Sequence, residues 1–173
     1  MADFNKYFPK LLAYEGGYAG NIDGAICTNL GITLATWKQY GHDLNGDWII
    51  DCEDIKLLTP KLVSFVYKLK FWDKWKADQI ENQSIAELLV DWEVNSGVPG
   101  IEIPQGILGV VQDGIVGNKT ISAINDYPLQ HELFQKIWDA HENFYTSLVN
   151  RKPTNQKFLQ GWLNRLDKQI FVA

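Results

Sequence analysis

Only two cysteines, three histidines, one methionine and no long apolar run occur in the sequence, and the shortages are informative. Cys27 and Cys52 are too few for a disulfide framework and have no zinc-site spacing; a single bridge between them is left open. His42, His131 and His141 do not cluster at metal-ligand spacing and are read as surface or capping residues. No segment approaches the ~20 apolar residues that a membrane-crossing helix needs. Met1-Ala2-Asp3-Phe4-Asn5 has neither the basic region nor the apolar core of a signal peptide. The expectation is a chain made in the cytoplasm with no membrane insertion. Basic residues are also scarce: 16 Lys and Arg face 21 Asp and Glu, a formal charge of -5, which argues against a nucleic-acid partner.

What remains is the composition of a folded soluble protein, 46% hydrophobic and 21% charged. At 173 residues it can form one compact domain or two small subdomains sharing a core, and a monomer is expected. Seven tryptophans and seven tyrosines offer flat surfaces for sugar rings, although most should serve the core. There is no internal repeat, and few strand-like alternations occur. The fold class is therefore mainly α, with a small hairpin around residues 18–33.

Phe4, Tyr7, Phe8, Leu11 and Leu12 recur at helical spacing, and Glu15 continues the same face. Gly16 and Gly17 should end that helix in the left-handed conformation. A carboxyl there is partly desolvated and sits at the negative end of a helix dipole; both favour its protonated form, as a general acid requires. Asp23 and Thr28 follow a turn and can be brought opposite Glu15, one to stabilise positive charge or activate water, the other to position that water. Alternatively they are ordinary turn residues, because Asn21-Ile22-Asp23-Gly24 is good turn chemistry in any protein.

Further on, Leu34–Tyr40 reads as a helix with Thr33 as N-cap and Gly41 as stop. Thr59-Pro60 opens a helix to about Asp73 with Leu62, Phe65, Val66, Leu69 and Trp72 on its apolar face. Ser84-Ile85-Ala86-Glu87 reads as a capping box for a helix ending near Asn95-Ser96-Gly97. A long helix is expected from about Leu129 to Val149, with Leu133, Phe134, Ile137, Trp138, Phe144, Tyr145 and Leu148 inward.

In Asp43–Asp54, side-chain oxygens fall at loop positions 1, 3, 5, 9 and 12, on Asp43, Asn45, Asp47, Asp51 and Asp54; position 7, Ile49, offers its carbonyl. The pattern resembles a dockerin-type EF-hand loop, so these residues are candidate ligands of a structural calcium ion. Trp48 stands at position 6, where glycine is usual, and must tolerate an unfavourable backbone conformation. The alternative is a solvated acidic loop capping the next helix.

Glu15-Gly-Gly-Tyr18, Asp23-Gly24 and Thr28-Asn29-Leu30-Gly31-Ile32-Thr33 resemble the opening motif of glycoside hydrolase family 108, lysozyme-like N-acetylmuramidases often found in phages. Tyr67–Asp73 and Asp91-Trp92-Glu93-Val94-Asn95-Ser96-Gly97 resemble further segments of that family. From Ile101 the resemblance passes to its C-terminal peptidoglycan-binding segment, through Asp113-Gly114-Ile115-Val116-Gly117-Asn118-Lys119-Thr120 and Phe158-Leu159-Gln160-Gly161-Trp162-Leu163-Asn164-Arg165. The Asp113–Thr120 motif is a tight turn into a helix, with Asn118 or Thr120 helping that helix start.

The resemblance implies a lysozyme-like catalytic domain over 1–97, containing the loop 43–54, and a helical peptidoglycan-binding-like segment over 98–173 packed on it. It implies a peptidoglycan hydrolase that cleaves between N-acetylmuramic acid and N-acetylglucosamine. Glu15 is its acid, Asp23 and Thr28 assist, and no cofactor takes part in catalysis. Tyr18 is a substrate-contact candidate, as is Asn95, which could equally be a helix C-cap. A lytic transglycosylase and a non-catalytic wall-binding module remain alternatives. The implied place of action is the bacterial cell wall or periplasm, reached by holin-type release or lysis.

Overall fold

The computed structural model describes residues 1–20 and 26–172. Among the described residues the chain forms nine α-helices and one small sheet, a mainly α, lysozyme-like fold as expected. Two compact units arise, Asn5–Lys70 and Met1–Phe4 with Phe71–Ala173. The 97/98 boundary read from sequence lies between two helices of the second unit that pack on each other.

The first unit holds α1 (Phe4–Leu12) except its first residue, the strands β1 (Ala19–Gly20), β2 (Cys27–Asn29) and β3 (Ile32–Thr33), and helices α2 (Leu34–Tyr40), α3 (Cys52–Lys56) and α4 (Pro60–Tyr67). Tyr7 and Leu11 of α1 are buried, as the helical spacing requires. The strands are antiparallel in the order β1-β2-β3, with Ala19 opposite Thr28 and Thr28 opposite Thr33. Thr33 caps α2 by accepting the Thr36 N–H at 3.2 Å, and the Gly41 N–H closes it on the Trp37 carbonyl. Thr59 caps α4 in the same way, with Pro60 at the first helical position.

Cys27 and Cys52 form a disulfide with a Cα–Cα distance of 5.9 Å, joining β2 to α3. Beside it, the buried Asn29 amide donates to the Ile55 carbonyl at 2.9 Å. The disulfide and this hydrogen bond both fasten the sheet to α3.

The expected apolar face after Pro60 is changed. Val63, Val66 and Tyr67 are the buried positions of α4, while Phe65 and Leu69 are exposed. The chain continues past Tyr67 as a π-helical turn, Lys68–Trp72. Its wider turn takes an extra residue and rotates the inward face, so a 3.6-residue pattern cannot be carried through it.

In the second unit, α5 (Gln83–Ser96) is the central helix, packed on α6 (Pro99–Ile107) and α8 (Gln130–Arg151). α7 (Asn118–Asn125) follows the Asp-Gly turn, and α9 (Gln156–Leu166) packs back on α8. Ser84 to Glu93 are all buried, so α5 is enclosed on every side and not on one stripe only. Its buried acids are therefore paired: Glu87 accepts from Gln83, Asp91 from Arg165, and Glu93 from Lys74. Trp72, Trp75 and Trp92 are fully buried. Each removes about 200 Å² from water, worth roughly 5 kcal/mol on transfer. That exceeds the ~1–3 kcal/mol for the indole N–H that Trp75 and Trp92 leave without a hydrogen-bond partner among the described residues.

Two helix starts and one whole helix differ from expectation. Asn82, not Ser84, caps α5, accepting the Ile85 N–H at 3.1 Å, and Ser84 is turned into the interior. α7 begins at Asn118 after Gly117, with no side-chain cap from Asn118 or Thr120. α6 includes Pro104, whose missing N–H hides the helix from a sequence reading. No described helix is long and apolar enough to cross a membrane.

Candidate active site

The site grows out of the end of α1. The helix stops at Leu12, and Gly16 and Gly17 do not adopt positive φ, contrary to the sequence expectation. The last carbonyls are satisfied instead by tightened bonds from the Tyr14 N–H to Leu11 at 3.0 Å and the Glu15 N–H to Leu12 at 3.2 Å. Glu15 is thereby held one turn beyond the helix, half-buried as its place on the Leu11 face requires. The Leu30 N–H then reaches the Gly16 carbonyl at 3.0 Å, fixing the segment after Glu15 to the turn between β2 and β3.

That turn is the floor of the site. Both central residues have positive φ, 49° at Leu30 and 75° at Gly31, the combination that a two-residue hairpin favours. Gly31 is required for a second reason. A Cβ at this position would run into the Glu15 carboxyl, at Oε2, and into the Tyr67 hydroxyl. Tyr67 is itself buried, and its hydroxyl donates to the Leu30 carbonyl at 3.1 Å. The Phe8 ring of α1 lies 6.2 Å from the Tyr67 ring at 50°, so α1 and α4 meet beside the carboxyl.

Thr28 is half-buried at the centre of β2, paired with Ala19 on one side and Thr33 on the other. Its neighbours Cys27 and Asn29 are buried, which sets Thr28 on the opposite face of the strand. Tyr18 is exposed, with its ring over Gly20 and the Lys56 ammonium 5.7 Å from the ring centroid. Asp23 lies outside the described residues. Tyr67 is the residue that sequence reasoning missed: its segment resembles the family, but only packing brings it to Glu15.

The loop 43–54 turns through positive φ at Gly46 and Trp48, 84° and 69°. Trp48 takes up the conformation usual for glycine at position 6, at a cost of about 1–2 kcal/mol, with its side chain 94% exposed. Asp43 accepts the N–H groups of Asn45, Gly46 and Trp48; the Trp48 N–H foremost holds its carboxyl below the usual range. Asn45 and Asp47 accept the next N–H groups, of Asp47 and Ile49. Asp51 caps α3 by accepting the Glu53 N–H at 2.7 Å, and Asp54, fully buried, accepts from Leu44 at 2.6 Å and Asp51 at 2.9 Å. Among the described residues no group of three or more His, Cys, Asp or Glu side chains is arranged to hold a metal ion.

In the second unit, the Asn95 amide donates to the Asp91 carbonyl at 2.9 Å and to Asp91 Oδ2 at 3.3 Å, while the residue itself is exposed near the end of α5. Asp91 is gripped by Arg165 of α9 through Nε at 3.0 Å and Nη2 at 2.8 Å. Two motifs far apart in sequence are thus two halves of one buried ion pair. His141 departs from the expected surface role. It is 1% exposed, stacked on Trp92 at 4.2 Å, and neither ring nitrogen has a hydrogen-bond partner among the described residues. Burial, with the Arg165 charge adding to it, pushes its pKa down to about 3.

Residues 8–97 match the family model of Glycosyl hydrolase 108, and residues 99–167 match that of a Predicted Peptidoglycan domain. Among solved structures, that of Brucella abortus SagA is similar, with 26% sequence identity, a TM-score of 0.75, and coverage of 95% of this chain and 90% of that one. No curated protein matches the chain.

Proposed function

Because the chain belongs to the glycosyl hydrolase 108 family, we propose that it is an N-acetylmuramidase, cutting peptidoglycan glycan strands between N-acetylmuramic acid and N-acetylglucosamine. Glu15 gives its proton to the glycosidic oxygen as the bond to the anomeric carbon breaks. Asp23 and Thr28 stabilise the oxocarbenium-like state or position the water that attacks it. The observation that carries this reading is the Glu15 carboxyl seated on Gly31, half-buried between α1 and the hairpin, inside the segment that the hydrolase family model covers. The peptidoglycan domain matched over residues 99–167 supports a wall substrate. With a net charge of -5, recognition of an anionic wall rests on sugar contacts and not on charge. The Cys27–Cys52 disulfide suits action outside the reducing cytosol.

Calcium at 43–54 is part of the proposal, as a structural ion only. Asp43, Asn45, Asp47, Asp51, Asp54 and the Ile49 carbonyl are hard oxygen donors, which suit this cation. The carboxylates are engaged with amides, yet each has about four lone-pair sites and retains acceptor capacity beyond those bonds.

The test is release of reducing ends from purified peptidoglycan by wild type and Glu15→Gln, each with calcium and with chelator. Release that vanishes in a folded Glu15→Gln protein is expected, with a melting temperature raised by calcium and turnover unchanged. Equal release by both proteins overturns Glu15 as the acid. Soluble fragments with anhydro ends replace the muramidase by a transglycosylase, and a melting temperature indifferent to calcium removes the ion.

A further inference from the structure

Glu15 shares its seat with a tyrosine that no catalytic role has yet been given. At Gly31 two side chains converge where a Cβ would stand, the Glu15 carboxyl through Oε2 and the Tyr67 hydroxyl. We propose that Tyr67 is a positioning residue for the reaction, holding the Glu15 carboxyl in one orientation through the Leu30–Gly31 turn; this rests on the reading of Glu15 as the acid.

A tyrosine hydroxyl has one proton and two lone pairs. Here the proton is committed to the Leu30 carbonyl, 3.1 Å away. That bond spans 37 positions and fastens α4 to a turn whose central residues both have positive φ, including a leucine that resists it. Release of the bond frees the turn and the Gly31 surface on which Glu15 Oε2 rests. Tyr67 is 2% exposed with its ring against Phe8, which fixes where the hydroxyl sits. The carboxyl is therefore bounded on its Oε2 side by the Gly31 backbone and the Tyr67 hydroxyl. Acid catalysis depends on such placement, since a displacement of about 1 Å costs on the order of 100-fold in rate.

The experiment compares wild type, Tyr67→Phe and Glu15→Gln on soluble glycan-strand fragments, with kcat, KM and melting temperature measured for each. Tyr67→Phe keeps the buried ring and removes only the oxygen. It is expected to lower kcat about 10- to 100-fold, leave KM unchanged and melt well above the assay temperature. Wild-type kcat in Tyr67→Phe alongside an inactive Glu15→Gln overturns the positioning role and leaves Glu15 standing. A loss of kcat that only tracks the unfolded fraction also overturns it, because the role is then structural. Wild-type turnover in Glu15→Gln removes the acid itself, and this inference with it.

Discussion

Replacing His141 by phenylalanine should flatten the acid sensitivity of the fold by a calculable amount. The imidazole is 1% exposed, stacked on Trp92 and 4.5 Å from the Tyr145 ring. It is held neutral, with its pKa pushed from 6.5 down to about 3 by burial first and by the Arg165 charge second. In the unfolded chain the same ring takes a proton below pH 6.5. Stability is therefore whole above pH 6.5 and drains away as the pH falls toward 3, since only the unfolded state binds the proton in that window. At 1.36 kcal/mol per pH unit the loss is about 2 kcal/mol at pH 5. Phenylalanine retains a ring against Trp92 and has no proton to take. It also removes two ring nitrogens without partners, so at neutral pH the variant should match or exceed wild type by about 1 kcal/mol. The assay is urea unfolding of both proteins at pH 7.5 and pH 5.0. The stability difference between them should widen by about 2 kcal/mol at the lower pH; carboxylates common to both cancel. An unchanged difference refutes the placement of His141 as a buried neutral ring.

Reduction of the Cys27–Cys52 bridge, whose cysteines are 25 residues apart, should cost about 3 kcal/mol through the freedom returned to the unfolded chain. Urea melts with and without a phosphine reductant, together with a Cys27→Ser/Cys52→Ser protein that behaves as the reduced form, check it; coincident midpoints contradict it. Arg165→Met should be worse, at roughly 3–5 kcal/mol, because it strands a buried carboxylate, Asp91, whose side chain is only 2% exposed. Adding Asp91→Leu should restore much of that loss in a double-mutant cycle, and a loss under about 1 kcal/mol for Arg165→Met alone would place the pair in solvent.

Much of the fold can be read along the chain wherever a helix has one wet face and a side-chain cap. Thr33 and Thr59 cap the helices assigned to them, and Gly41 stops α2. The reading fails where the local rule is suspended. The π turn at Lys68–Trp72 breaks the 3.6-residue count, Pro104 conceals α6, and α5 is enclosed on all sides, so no amphipathic stripe marks its orientation. His141 shows the reverse case. It falls four residues after Ile137 and four before Tyr145, both buried on the same helix, so the inward spacing was present but its polar identity outweighed it.

The site divides along the same line. The local structure around Glu15 and Thr28 is legible, a helix end in the one case and a short strand in the other. The Tyr67 hydroxyl is not legible, since what brings it to Glu15 is the missing Cβ of a glycine 36 positions earlier on a turn of unusual backbone. A motif glycine such as Gly31 looks like a hinge for the chain, and the structure makes it a contact surface for side chains from two helices' reach. Asp91 and Arg165 repeat the lesson in the other unit, where two family-like motifs are explained by one buried ion pair. In both places the informative residues are those whose partner lies far along the chain, so that a motif marks where two distant segments must meet before it marks what either one binds.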